Sequence, residues 1–293
     1  MKKAQMQFNW AFVIIAGVII LAFFTTFIVR YIDIQTMKEN AEISSDVYNI
    51  LYSLQKSSFR TELNISIGII TDLEFSCDKL VVGNFAPASL KKEYIFAPKS
   101  MNTDIINVWM QSWKYPFKIA NLFYLSSREK KYYIVYDQSS EGFVNNLTLP
   151  PFNIQKTTTM PNIDDPNVKI ISFTSRNADI TITPDENGQV IIGSTKYPLF
   201  GLPLVYGAMF SDNYPCILDR LLNKFLTMIE IYKIKVDYLY LLNRDCDYSQ
   251  MKFTLNTLRD RIQSKNYDEI KKYVNILDEQ NKNMLSLNCQ PLY

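Results

Sequence analysis

The chain changes character along its length according to how its apolar positions are spaced. From Ala11 to Val29, nineteen consecutive residues carry no charge, and Lys2 and Lys3 are the only charges before them. About 20 apolar residues at 1.5 Å each match the ~30 Å hydrocarbon core of a bilayer. Residues 8–30 are therefore expected as a single transmembrane helix of the cell membrane. Residues 1–7 are expected to be cytoplasmic, because the short flank carries the lysines, with the bulk of the chain from about Tyr31 extracytoplasmic.

Beyond that run the spacing becomes helical. Ile43, Val47, Ile50, Leu51 and Leu54 form one apolar stripe between polar positions, and no Gly or Pro occurs from residue 18 to residue 67. One helix from about Phe8 to Ser57 would be ~75 Å long, with residues 31–58 as a stalk. The stripe suits a coiled coil or a helix laid against its own domain, and the second is favoured.

Residues 59–212 read as an extracytoplasmic, mainly antiparallel β-sheet domain. Ile65 to Phe75, Leu80 to Val82, Lys131 to Tyr136, Val168 to Phe173, Asp179 to Thr183, Gln189 to Ile192 and Leu204 to Phe210 are short β-branched or aromatic runs separated by turn residues. Thr103 to Met110 suggests a short helix before Pro116. Asn187-Gly188 predicts a tight hairpin between Ile180-Thr181-Ile182 and Val190-Ile191-Ile192, through the positive φ angles such turns use. Residues 138–167, rich in Asn, Thr, Pro and Asp, read as a long surface excursion.

Residues 213–293 switch to helical spacing. Ile217, Leu221, Phe225, Met228, Ile229, Tyr232, Val236 and Leu239 mark a first helix; Met251, Leu255, Leu258 and Ile262 a second; Ile270, Tyr273, Val274, Leu277 and Met284 a third, after a turn at Ser264-Lys265-Asn266. Strands followed by helices predict an α+β fold.

Composition narrows the chemistry. Hydrophobic residues make up 47% and the net charge is +2, so the chain can bury a core and has no electrostatic footprint for nucleic acid. Histidine is absent, which removes Ser-His-Asp and Cys-His nucleophile systems and His-ligated zinc. Neither Asp164-Asp165 nor Asp245-Cys246-Asp247 has the spacing of a calcium loop. No catalytic, cofactor or metal residue is assigned, and a non-catalytic role is expected. The aromatic group Trp109, Trp113, Tyr115, Phe117, Phe123, Tyr124, Tyr132, Tyr133 and Tyr136 could be a recognition surface, but core is the more economical reading. Asn64 and Asn146 fit the N-glycosylation acceptor pattern; Asn146 lies in the polar excursion, whereas Asn64 leads into a strand.

Helix lengths choose between the three pairings of four cysteines. Cys216 and Cys246 bracket the first C-terminal helix and would be ~45 Å apart along it, far beyond the ~7 Å a disulfide allows between Cα atoms. The second and third helices, about equal in length, return Cys289 towards Cys246. Cys246–Cys289 is therefore expected, and by elimination Cys77–Cys216.

The N-terminal string Lys2-Lys3-Ala4-Gln5-Met6-Gln7-Phe8-Asn9, followed at once by the apolar run, resembles the class III signal of archaeal type IV pilin-like proteins. That resemblance implies cleavage between Ala4 and Gln5 by a prepilin peptidase, with the helix retained. Gln7 stands where a small hydroxyl residue is frequent, and Asn9 where many pilins carry a Glu that registers subunits. Phe8-Asn9-Trp10, Trp113-Lys114-Tyr115-Pro116-Phe117-Lys118 and the Cys289-to-Tyr293 tail also resemble single-span archaeal envelope proteins. An uncleaved signal-anchor explains the same N-terminus. Two functions follow: a pilin-like structural or assembly protein, with other envelope subunits as partners, or a monotopic ligand-binding or adhesion domain.

Overall fold

A computed structural model describes residues 2–56, 61–174, 178–242 and 245–293, and the side chains of these except residues 2–9 and 11. The fold is α+β, with one long N-terminal helix and two six-stranded sheets. Helix α1 (Lys2–Gln55) is unbroken for 54 residues, about 80 Å. Its apolar run is long enough to cross a membrane, and the apolar side chains described from Trp10 to Val29 are exposed around the whole helix except Ala16. Burial begins at Asn40. From there Ile43, Val47 and Leu51 are buried, with Ile50 and Leu54 packed beside them. The stripe beyond the apolar run is a face laid on the chain's own domain.

The first sheet has the order β3-β2-β1-β5-β6-β4, from β1 (Thr61–Phe75), β2 (Lys79–Val82), β3 (Ala88–Ser89), β4 (Tyr94–Phe96), β5 (Ser100–Lys114) and β6 (Lys118–Ser127). Laid flat, six strands would place β3 and β4 ~24 Å apart. The four residues 90–93 that join them reach at most about 18 Å. The sheet must curl. The face lined by Ile106, Val108 and Met110 of β5 and Phe123 and Leu125 of β6 packs against the α1 stripe. The opposite face, with Trp109, Trp113, Ile119, Leu122 and Tyr124, enters a second and larger core. These two strands are walls between two cores, which is why the segment Thr103 to Met110, expected as a helix, is strand: burial on both faces erases the alternation that marks a half-buried strand.

The second sheet has the order β12-β11-β10-β9-β7-β8, from β7 (Lys131–Val135), β8 (Asn153–Thr157), β9 (Val168–Ser172), β10 (Ile180–Ile182), β11 (Gln189–Ile192) and β12 (Thr195–Pro198). β7 pairs in parallel with both β8 and β9, and β9 with β10. Both sheets are thus mixed: the first is antiparallel except where β4 pairs in parallel with β6, and the second joins a parallel half to the antiparallel β10–β11–β12. Parallel neighbours need crossovers, and the supposed excursion 138–167 supplies one: it contains α2 (Glu141–Asn146) and β8, with Val144, Leu147 and Phe152 buried. The β10–β11 hairpin forms with the expected strands, but Asn187-Gly188 does not adopt positive φ. Its loop is closed by the Thr183 and Asp185 side chains, which accept from the amides of Gln189 (3.2 Å) and Asn187 (2.9 Å). Positive φ occurs one turn later, at Gly193 (+60°) between β11 and β12.

Leu204 to Phe210, expected as a strand, is helix α3 (Leu202–Phe210), in which every residue from Leu204 on is buried. A helix apolar on all sides has no period to read. It lies between the sheets and approaches β4 so closely that a Cβ at Gly207 would stand 2.7 Å from the Phe96 ring. Helices α4 (Tyr214–Leu242), α5 (Ser249–Gln263) and α6 (Tyr267–Ser286) bury the stripes read from the sequence. They share the larger core with both sheets, so packing runs across residues 212 and 213.

Candidate functional site

Where α1 ends, the first sheet and α4 meet around a cleft of about 470 Å3 lined by Gln55, Lys91, Lys92, Tyr94, Lys118, Asn121 and Lys224. Lys91 and Lys92 lie on the link from β3 to β4, Lys118 opens β6, and Lys224 is on α4. Gln55 Nε2 donates to Lys92 O (2.7 Å), and Asn121 Nδ2 donates to Gln55 O (2.8 Å). Among the described residues none of the four lysines is in an ion pair. Four ammonium groups around one cleft offer an anion Coulomb attraction and up to three donors each. Sequence reading missed this site because its lysines come from three distant segments; the Lys91-Lys92 pair was the only local sign.

Arg220 ties down both ends of the link that carries Lys91 and Lys92. Its Nη1 donates to Cys77 O, and its Nη2 donates to Leu90 O (2.8 Å) and Glu93 O (3.0 Å), while the guanidinium lies 5.3 Å from the Tyr94 ring centre. Burial pulls Arg220 below its ordinary value, opposed by Tyr94, Asp78 and Glu93; an arginine stays charged regardless. One turn earlier on α4, Cys216 is bonded to Cys77, with Cα atoms 5.8 Å apart. The second disulfide joins Cys246 to Cys289 across the ends of α5 and α6, at 5.9 Å. The long helix between Cys216 and Cys246 is unbroken, as the length argument required.

Lys169 of β9 makes a second cross-tie. Its Nζ donates to Ser211 O (2.6 Å) and Asp212 Oδ1 (2.7 Å), and Asp212 Oδ2 accepts from the Lys99 amide (2.9 Å). Burial alone would raise the Asp212 carboxyl. The charge and hydrogen bond of Lys169, with the Lys99 amide, outweigh burial and hold it below the usual range. This links the two sheets through the residues before α4.

The aromatic group resolves into core. Trp109, Trp113, Phe117, Phe123, Tyr124 and Tyr132 are buried, and Tyr115, Tyr133 and Tyr136 half-buried. Their polar ends find partners inside: Trp113 Nε1 donates to Phe200 O (2.8 Å), Tyr124 Oη to Pro203 O (2.7 Å), and Tyr132 Oη meets Ser126 Oγ (3.0 Å). Asn146 is exposed at the end of α2. Asn64 is also exposed, within β1 opposite Asn107. Asp165 and Asp247 cap local turns by accepting from the Asn167 and Ser249 amides (both 2.8 Å). Among the described residues no three acidic or cysteine side chains converge on a metal position. Ala4 and Gln5 fall in α1, but their side chains lie outside those described.

No family model matches the chain, and no curated protein or solved structure is significantly similar to it.

Proposed function

We propose that this chain is a membrane-anchored, extracytoplasmic envelope protein with a structural or assembly role. The observation that carries the reading is the continuity of α1. One helix begins with an uncharged run whose described side chains are almost all exposed, and ends with Ile43, Val47 and Leu51 in the domain core. With no Gly or Pro between them, the anchor and the domain are coupled stiffly, about 15 Å of helix separating Arg30 from Asn40. Two disulfides accord with an oxidising compartment. The pilin-like resemblance adds processing between Ala4 and Gln5 and recruitment of other envelope subunits.

Protease added to right-side-out vesicles should digest the domain and leave a protected N-terminal fragment; a fully protected C-terminal domain would overturn the topology. Mass spectrometry of the mature N-terminus separates the two anchors. A chain beginning at Gln5 supports the pilin-like reading, and one retaining Met1 or Lys2 leaves the plain signal-anchor.

The lysine-lined cleft favours a second reading, an anchored domain that captures an anionic envelope component. Calorimetric titration of the detergent-solubilised chain with pyrophosphate should show binding that weakens with salt. Lys118→Ala with Lys224→Ala should abolish it.

A further inference from the structure

Helix α4 has two apolar stripes. The first, from Ile217 to Leu239, faces the core. The second lies on the opposite side of its second half: Ile231, Ile234, Tyr238 and Leu241 are 51%, 70%, 60% and 68% exposed, with Tyr240 and Leu242 also exposed in the last turn. A helix packed on a domain normally turns polar side chains outward. Here the outward positions are apolar at intervals of three, four and three residues, the spacing of a two-helix seam. Charges at Glu230, Lys233, Lys235 and Asp237 interrupt the circumference, so the segment is not built to be surrounded by lipid. Phe253 on α5, 64% exposed, follows the Lys252 that pairs with Asp237 and adds to the same end of the molecule.

We infer that this stripe is the contact for a second copy of the chain, with the two α4 helices side by side and parallel. Four such side chains on each of two copies would bury on the order of 1,000 Å2, the lower bound for a specific interface. The flanks choose the direction. Glu230 and Asp237 lie on one side of the seam and Lys235 on the other. In a parallel pair Glu230 faces Lys235 of the second copy; antiparallel pairing would set Glu230 against Asp237. Within one chain Glu230 already pairs with Lys233 and Arg259, and Lys235 donates to Leu292 O (2.6 Å). The charges therefore select orientation, while the apolar seam supplies the contact. The seam is a property of α4 and holds whether or not α1 spans a membrane.

The test is light scattering of the full-length chain in neutral detergent, with a benzophenone amino acid at position 234 to trap the neighbour. The wild type and Ile234→Leu should be dimeric, and the trapped product should join α4 to α4. Ile234→Glu, a change at an exposed position, should keep the fold and weaken dimerisation roughly thirtyfold or more. A monomeric wild type, a dimer that survives Ile234→Glu, or cross-links that reach only lipid or only α1 would overturn the inference.

Discussion

The two long helices, α1 and α4, expose apolar surface in different ways. Around α1 the exposed apolar side chains from Phe12 to Val29 cover the whole circumference, with no charge among them. On α4 Ile231, Ile234, Tyr238 and Leu241 form one stripe flanked by Glu230, Lys235 and Asp237, and only the last turn, with Tyr240 and Leu242, exposes apolar side chains beyond it. A solvent that surrounds a helix must be matched on every side, whereas a neighbouring helix touches only one. Each helix also buries a stripe in its own domain. Burial and exposure along one helix are thus separate signals and point to separate partners.

The largest effect that could break this comparison is on α1. Ile19→Arg with Phe23→Arg places two charges in the run, each costing about 2.5–3.5 kcal/mol at a bilayer centre. The chain should become extractable from membranes at alkaline pH. On α4's inner stripe, Phe225 makes edge contacts with Trp113 and Phe117 at 6.0 and 5.7 Å. Phe225→Ala should cost about 3–5 kcal/mol, read by denaturant titration in micelles. Arg220→Met removes three charged hydrogen bonds to main-chain carbonyls and should cost about 2–4 kcal/mol, read by pulse proteolysis.

Acid offers a further comparison. The folded pKa of Asp212 is lowered, so its contribution is present above the ordinary value of 3.8 and is lost as pH falls through the folded value. Asp212→Asn should lower the thermal midpoint at neutral pH, and the difference from the wild type should shrink as pH falls below the ordinary carboxylate value. The smallest effect belongs to α4's outer stripe. Ile234→Ala should change the stability of the isolated chain by less than about 0.5 kcal/mol, because its side chain has no core to leave. A larger loss, measured at a dilution that separates any dimers, would place Ile234 in the fold rather than at a seam.

Legibility followed the number of faces buried. The stripes of α4, α5 and α6 were readable because each helix has one buried side, and the disulfide pairing followed from their lengths. α3 was misread because a segment buried all round carries no period, and β5 because Val108, Trp109 and Met110, buried in succession on alternate faces, interrupt the alternation of a half-buried strand. The β10–β11 strands were readable, but their turn chemistry was not, since Thr183 and Asp185 took the role assigned to Asn187-Gly188. The lysine cleft was invisible because Lys91 and Lys92, Lys118 and Lys224 meet only after the first sheet curls and α4 crosses it.

Local spacing by itself determined the uncharged run, the continuous helix beyond it, the α+β class and the three C-terminal helices, because each depends on neighbours a few residues away. Only the tertiary structure decided that β5 and β6 divide two cores, that β7, β9 and β10 run parallel, and that the aromatic group is interior. Those outcomes depend on what covers the second face of each element. Its covering comes from residues far away in the chain, which periodicity does not reach.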